Sequence, residues 1–359
     1  MLSTASTGQQ LRHPPLQADW VDAPHYSVNL GDFSLDSGEV IEDFSISFAV
    51  HGNPHDDQLP IALALCAIGS THHRMDFMIG AGQALDPSRL RIIAVDAIGN
   101  GLTTSPSNSR AQPGYSFPQF TISDMVRSQA SLLELLGIEQ LDIVVGASMG
   151  GMQALAWGVM YPHAVRRIVA LTPMARTAPW ARLVNLTARS ILETGMRRQF
   201  EGDSFSDPWY DWVPLMQALS MRTPGQFDAE VLEFCRNRGD QASDPRQWLD
   251  LRRSWWRSQR FDPIDWIYQS NAYDQHDVGK LGCFNGDTVA ALNSVRAPTF
   301  IAAPSLDLYN PIGAAVWASR HIPQCCYMEV ESDYGHMAAS WLDKNASRIL
   351  NNAVARFIA

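Results

Sequence analysis

Three features of the 359-residue chain predict an α/β fold with a mostly parallel sheet. Short aliphatic runs alternate with stretches whose apolar residues recur at helical spacing, the pattern of strands covered by helices on both faces. The alternation stops after Leu171 and resumes at Thr299. A glycine-rich pentapeptide joins one run to a helical stretch. Strands are expected at Phe44–Val50, Ile61–Ala67, Leu90–Asp96, Leu141–Val145, Arg167–Leu171, Thr299–Ala303 and Cys326–Val330.

The helix before the fourth predicted strand has clear ends. Thr121 and Asp124 form a capping-box pattern, and apolar residues then follow at helical spacing. Gly137 supplies a C-cap. A second helix, Ile312–His321, is expected between the last two strands.

The domain organisation follows from the interruption of the strand pattern. Segment 176–292 is helical in pattern and rich in tryptophan, so we expect a helical lid inserted into a core of residues 25–175 and 293–359. The alternative is a set of ordinary helices packed on the sheet. Residues 1–24 are polar at their start and are predicted to form a flexible arm.

Composition excludes several classes of partner. The net charge is −10 and no basic cluster occurs, which argues against nucleic acid and anionic membrane surfaces. No window approaches the roughly 18 apolar residues of a membrane span, and no signal peptide is recognisable. The five cysteines show no metal-ligand spacing, so we expect a reduced, cytoplasmic protein.

The pentapeptide Gly146-Ala-Ser148-Met149-Gly150 has the form of a nucleophile elbow. Taken alone, this pattern also occurs in ordinary glycine-rich turns. Between a buried strand and a helix it predicts a serine on a strained turn with its hydroxyl exposed. We therefore predict an α/β-hydrolase fold with Ser148 as the nucleophile.

The other two members of a catalytic triad follow in the order typical of that fold. Asp307 comes just after a predicted strand, and His336 lies on the loop after the next one. His336 would take the proton from Ser148, and Asp307 would orient the imidazole. Asp333 is a rival acid, but it lies only three residues before His336 and is badly placed to reach the far ring nitrogen.

Two backbone N–H groups are predicted to form the oxyanion hole. Met149 stands at a helix N-terminus, and Ile68 lies in the loop after a buried strand. His72 and His73 follow in the same loop, where they either shape the wall of the site or, as we favour, have a structural role. No metal site is expected. His276 has acidic neighbours, but we predict that it belongs to a solvated loop or a helix cap.

Several stretches resemble the homoserine O-acetyltransferase group of α/β-hydrolases. They include Tyr115–Val126, the run Val144–Leu155 with its Ser-Met-Gly-Gly-Met-Gln sequence, and Ala272–Val278. The resemblance implies acyl-enzyme chemistry on the predicted triad and a homodimer formed through the lid. It also implies that Arg189 meets a substrate carboxylate, whereas the alternative is a surface arginine on a lid helix.

The chain departs from that group at two places. The loop Asp96–Pro106 lacks the transferases' Gly-Ser-Thr-Gly-Pro type sequence, and Met337 stands where they carry an aspartate for the substrate ammonium. A thioether cannot pair with an ammonium. We therefore count Met337 and Arg189 as candidate substrate-binding residues and expect the substrate to differ from homoserine.

These observations predict a serine carboxylic ester hydrolase for short-acyl, acetyl-type esters. The alternative is an O-acyltransferase that passes an acyl group from acyl-CoA to a small hydroxyl acceptor. Acyl-CoA would then be a co-substrate, and neither function needs a cofactor. A non-catalytic binding module is disfavoured because Ser148, Asp307 and His336 are all present.

Overall fold

The computed structural model describes residues 13–53, 56, 58–203, 208–239, 244–258 and 261–359. Its strands are β1 His25–Ser34, β2 Val40–His51, β3 Ile61–Leu65, β4 Arg91–Val95, β5 Ile143–Ala147, β6 Ile168–Leu171, β7 Thr299–Pro304 and β8 Cys325–Val330. They form one sheet in the order β1-β2-β4-β3-β5-β6-β7-β8. Strand β2 pairs antiparallel with β1 and with β4, and the other pairs are parallel. The predicted α/β fold with a mostly parallel sheet is confirmed.

All seven predicted strands are present with shifted ends, but the prediction missed β1. This strand lies at the edge of the sheet and pairs only with β2. Its register shifts around Gly31, which breaks the alternation of apolar and polar residues that marks a strand in a sequence.

Both faces of the central strands are buried. Leu63 and Leu65 of β3 pack into a core cluster on one face, while Ala62 and Ala64 pack into a cluster on the other. Because successive side chains of a strand point to opposite faces, such a strand is apolar throughout. This explains why the inner strands could be recognised without alternation.

Ten α-helices are described in this part of the chain. They are α1 Ile122–Leu135, α2 Met149–Met160, α3 Pro179–Phe200, α4 Pro208–Val213, α5 Pro224–Asn237, α6 Arg246–Ser258, α7 Pro263–Gln275, α8 Thr288–Asn293, α9 Ile312–Ser319 and α10 Lys344–Ile358. The predicted capping box of α1 is present, since Thr121 accepts from the Asp124 N–H and the Asp124 side chain accepts from the Thr121 N–H. Gly137 has φ 71° just after this helix, as its role as C-cap requires.

The segment between β6 and β7 contains helices α3 to α8 and no strand among its described residues. Its interior holds an aromatic cluster, in which Trp212 meets Trp256 edge to face at 4.7 Å and Trp266 at 5.5 Å. Burial of these large rings gives the segment its own apolar centre. None of the helices in the described part of the chain combines the length and apolarity that crossing a bilayer requires.

The chain ahead of β1 departs from the prediction of a flexible arm over residues 1–24. Residues 1–12 lie outside the described residues, whereas the stretch from residue 13 to 24 packs on the loop after β3. Trp20 stacks on His73 with ring centroids 4.2 Å apart, and the Val21 N–H donates to Asp76 Oδ2 at 2.8 Å. We call residues 13–24 the N-terminal segment.

Candidate active site

Ser148 occupies a strained turn between β5 and α2. Its φ is 59° and ψ −121°, a conformation that costs a non-glycine residue energy. The flanking glycines make the turn sterically feasible. A Cβ on Gly150 would lie 2.6 Å from the Leu65 carbonyl oxygen, and one on Gly146 would overlap the Gly150 backbone. The turn therefore depends on the glycine pattern that the sequence displays.

The structure brings Ser148, His336 and Asp307 together in one hydrogen-bonded chain. His336 Nε2 lies 2.8 Å from Ser148 Oγ, and His336 Nδ1 lies 2.7 Å from Asp307 Oδ2. All three residues are buried. Because a carboxylate can only accept, His336 donates from Nδ1 and presents Nε2 to the serine.

The second oxygen of Asp307 is also fixed. Asp307 Oδ1 accepts the N–H groups of Tyr309 and Asn310, both at 2.8 Å. The rival acid Asp333 has an exposed side chain, and its backbone carbonyl accepts from Thr223 Oγ1 at 2.5 Å. Asp307, and not Asp333, is therefore the carboxylate in contact with the histidine.

The predicted oxyanion donors stand on two elements beside Ser148. Met149 is the first residue of α2, where the first N–H groups of a helix have no partner within it. In the loop after β3 the Ala67 N–H donates to Ser70 Oγ and the Gly69 N–H to Gln269 Oε1. Within the described residues neither Ile68 nor Met149 has a protein acceptor for its N–H. Both N–H groups remain available to a substrate oxygen.

Arg189 is not where the resemblance to the transferases implied. It is absent from the described lining of the cavity at Ser148, and it binds Asp274 Oδ2 at 2.6 Å and Ser270 Oγ at 3.1 Å. Its side chain is 12% exposed, so it is not a surface arginine either. Neither expectation included this ion pair, whose second member lies 85 positions further along the chain, and a substrate contact of Arg189 stays a prediction.

The Arg189–Asp274 pair is connected to the triad. Asp274 Oδ1 accepts from Asn185, whose Oδ1 accepts the hydroxyl of Tyr309 at 2.6 Å. The Tyr309 ring meets the His336 ring edge to face at 5.1 Å. The pair thus supports the wall behind the histidine, without facing the cavity.

A cavity of about 230 Å³ opens at Ser148 and His336. Drug-sized ligands occupy roughly 300–1,000 Å³, so this volume suits a smaller molecule. Met337 lines the cavity, and its role in substrate binding stays a prediction. The helical insertion contributes side chains that sequence reasoning did not single out, namely Gln217, Met221, Arg222, Arg252, Trp255, Trp256 and Phe261.

The charged residues in this lining are basic. Arg74, Arg222 and Arg252 line the cavity, and among the described lining residues there is no aspartate or glutamate. Arg222 and Arg252 both bind Glu230, which lies behind the wall. Burial lowers the pKa of Arg74 to about 10, so this guanidinium keeps its charge at neutral pH. The site therefore favours neutral or anionic ligands over cationic ones.

Histidines His13, His25, His72 and His73 form a cluster beside the cavity, which we call the histidine cluster. Burial, with the neighbouring His72 and His73, lowers the pKa of His13 to about 4. Burial alone would lower the pKa of His72 as well, but the Asp96 carboxylate outweighs it and raises that pKa. The structural role favoured for His72 and His73 fits their contacts with buried carboxylates, although His73 also lines the cavity.

The strand order, the elbow and the hydrogen-bonded Ser-His-Asp chain are those of an α/β-hydrolase. A family model described as alpha/beta hydrolase fold matches residues 50–341. The chain therefore belongs to the α/β-hydrolase family.

Relatives within the family bear out the predicted resemblance. A homoserine O-acetyltransferase of Nostoc punctiforme is 28% identical over 322 residues, covering 85% of this chain and 89% of the relative. One of Thermus thermophilus is 31% identical over 277 residues, covering 73% and 67%. An acetylester hydrolase structure from Corynebacterium glutamicum superposes with a TM-score of 0.82 at 26% identity, covering 93% and 96%. The chain is thus similar both to transferases and to an esterase.

Proposed function

We propose that this protein is a serine carboxylic ester hydrolase that acts on short-acyl, acetyl-type esters. The observation that carries the proposal is the chain Asp307–His336–Ser148, with hydrogen bonds of 2.7 and 2.8 Å, at a cavity of about 230 Å³. The similarity to an acetylester hydrolase along 93% of the chain supports it.

In the proposed reaction His336 Nε2 takes the proton of Ser148 as Oγ attacks the ester carbonyl carbon. The N–H groups of Ile68 and Met149 stabilise the oxyanion. Collapse expels the alcohol, which leaves with the proton from His336, and an acyl-enzyme remains. His336 then activates a water that releases the acid and regenerates Ser148. These steps use only the chain, the ester and water, so we propose that no cofactor takes part.

Three features of the cavity favour water over homoserine as the acceptor. The described lining contains no carboxylate to pair with an ammonium, Met337 follows His336, and three arginines raise the positive charge of the wall. An unpaired ammonium in a partly dry site costs roughly 2–4 kcal/mol, or about 30- to 1000-fold in kcat/KM.

The second candidate is an acyl-CoA-dependent O-acyltransferase. It is supported by the two relatives named homoserine O-acetyltransferase described above, which align with 85% and 73% of the chain. Both candidates share the acyl-enzyme on Ser148 and differ only in the molecule that resolves it.

One experiment separates the two candidates. The purified protein is given p-nitrophenyl acetate alone and, separately, acetyl-CoA with homoserine, and initial rates are compared. We expect ester hydrolysis to exceed transfer, and Ser148→Ala to lower kcat by roughly 10³-fold or more. Faster transfer than hydrolysis would establish the transferase, and near-wild-type turnover by Ser148→Ala would refute the shared mechanism.

We also propose that the protein forms a homodimer through the helical insertion. Leu183 and Leu186 of α3 are 55% and 57% exposed, and Trp180 on the same side is 53% exposed. Side chains three positions apart lie on one face of a helix, so these form an apolar stripe. Light scattering should give the mass of a dimer for the wild type and of a monomer for a Leu183→Glu, Leu186→Glu variant. A monomeric wild type would exclude the dimer.

A further inference from the structure

The histidine cluster lies where the N-terminal segment meets the loop after β3. The rings of His13, His25, His72 and His73 have centroids 4.3 to 5.4 Å from their neighbours. Ligand atoms of His13, His25 and His72 all lie within 4.8 Å of one another. The residues come from three separate parts of the chain, so only the folded protein brings them together.

Three of the four rings are oriented by an acceptor at Nδ1. His13 Nδ1 lies 2.6 Å from the Pro14 carbonyl oxygen, His72 Nδ1 lies 2.9 Å from Asp96 Oδ2, and His73 Nδ1 lies 2.6 Å from Asp76 Oδ2. A carbonyl and a carboxylate only accept, so each Nδ1 carries the proton. In the neutral imidazoles, Nε2 then presents a lone pair.

These lone pairs face one another. His13 Nε2 lies 3.4 Å from His72 Nε2 and 3.0 Å from His73 Nε2. A single proton placed between two of these nitrogens removes the lone-pair repulsion in only one of the two contacts. A metal cation bound by all three nitrogens removes the repulsion in both. In a tetrahedral zinc site with Zn–N bonds of about 2.0–2.1 Å, two nitrogens are about 3.3 Å apart, close to the observed spacing.

The surroundings of the cluster match the outer shell of a metal site. Histidines that bind metals commonly donate their other N–H to a carboxylate, as His72 does to the fully buried Asp96. His25 Nε2 lies 2.5 Å from Ser47 Oγ and 3.3 Å from Asp96 Oδ2, so these oxygens hold that side of the ring and Nδ1 is the atom of His25 that would bind the ion. Asp96 and Asp76 place two buried carboxylates beside the rings, and a divalent cation would balance their charge.

We propose that four histidines bind a divalent metal ion of the zinc class. His13, His25 and His72 have ligand atoms within 4.8 Å of one another, and His73 contributes the Nε2 that lies 3.0 Å from His13 Nε2. Nitrogen ligands from histidine suit zinc and its neighbours in the transition series and not magnesium or calcium. The ion would fasten the N-terminal segment to the sheet. Because Pro14, Trp20 and His73 line the cavity, it would shape the cavity wall and take no part in the ester chemistry.

Metal binding by the full-length protein tests the proposal directly. Protein treated with a chelator is titrated with Zn²⁺ in equilibrium dialysis, and with Co²⁺ while the visible absorption bands of tetrahedral cobalt are followed. We expect one ion per chain, with tetrahedral bands from nitrogen ligands. A wild type that binds no Zn²⁺, or that binds it no more tightly than the His13→Ala, His25→Ala double variant, would overturn the proposal.

Single variants assign the ligands. His13→Ala and His25→Ala should each weaken Zn²⁺ binding by at least the ~10–100-fold that loss of an outer-shell partner costs, and Asp96→Asn should weaken it by about that factor. His163→Ala is the matched control, since His163 is exposed and lies apart from the cluster. If Asp96→Asn fails to fold, His13→Ala still tests the site, because His13 lies outside the sheet and we expect its replacement to leave the fold intact. Equal loss in His163→Ala would show that binding is non-specific.

The Ser148→Ala variant separates this proposal from the proposed function. It should bind Zn²⁺ with wild-type affinity while it lacks esterase activity. A protein that binds the metal but hydrolyses no ester would leave the metal site standing and refute the function.

Discussion

The loops that follow the sheet strands form one wall of the cavity, whereas the helical insertion and the N-terminal segment form the other. Ser148 and His336 line the first wall, and Asp307 lies behind His336. Backbone contacts and contacts with each other hold these three residues in place. Asp307, for example, accepts three hydrogen bonds, two from backbone N–H groups and one from His336. The second wall presents side chains such as Trp255, Phe261 and Arg222, held by aromatic packing and ion pairs.

From this difference we infer that one wall positions the reacting groups and the other recognises the substrate. Reacting groups must be held within a fraction of an ångström, and short loops anchored to a buried sheet provide that rigidity. Recognition of the ester substrate that we propose depends on shape and charge, which side chains on helices supply. We therefore expect changes in the sheet wall to act on kcat and changes in the helical wall to act on KM.

The largest effect is expected at the acid of the triad. Asp307→Asn should lower kcat by roughly 10²–10⁴-fold, because the histidine loses its charged partner and its correct tautomer. Asp333→Asn is the control, since its side chain is exposed, and it should stay within a few-fold of wild type. Steady-state kinetics on p-nitrophenyl acetate measure both, and the reverse ranking would assign the role to Asp333.

The residue after His336 tests which acceptor the site admits. Met337→Asp places a carboxylate in the cavity lining, where it can pair with an ammonium. It should raise kcat/KM for transfer from acetyl-CoA to homoserine by up to about 30- to 1000-fold from any trace in the wild type. Met337→Leu serves as the apolar control. Equal transfer rates in both variants would show that Met337 does not select the acceptor.

The helical wall should respond through KM. Trp255 lines the cavity, and Trp255→Ala removes apolar contact worth about 1–2 kcal/mol, which corresponds to about 5- to 30-fold in KM. Phe200→Ala truncates a ring that is 94% exposed on the same insertion and should leave KM unchanged. A fall in kcat at constant KM for Trp255→Ala would contradict the division between the walls.

The contact between the two walls gives the smallest effect, on stability rather than on rate. Asp265 of α7 accepts the Ser107 N–H at 3.0 Å, and burial raises its pKa to about 8. Between pH 4 and 8 the Asp265 carboxyl is protonated in the folded protein and ionised in the unfolded chain. The free energy of unfolding therefore falls as pH rises.

Asp265→Asn cannot ionise, so it should flatten this dependence in urea unfolding measured from pH 5 to 8. Asp228→Asn, at an exposed position of α5, should keep the wild-type slope. An unchanged slope in Asp265→Asn would show that other groups govern the pH dependence.

Residues whose roles arise from local geometry could be inferred from the sequence alone. The nucleophile elbow could be predicted from Gly146, Ser148 and Gly150, because backbone crowding at both glycine positions excludes a side chain. Asp307 and His336 follow strand ends, and the carboxyl ends of parallel strands meet at one edge of the sheet. The apolar runs of the inner strands show burial on both faces.

Roles that depend on contacts between distant segments became visible only in the folded chain. Arg189 has the form of a substrate-binding arginine, but Asp274 and Asn185 engage it in a support behind Tyr309. The polar chain ahead of β1 gave no sign that His13 would meet His72, because the two are 59 positions apart. An ion pair or a cluster of histidines requires only proximity in space, and sequence periodicity carries no record of that proximity.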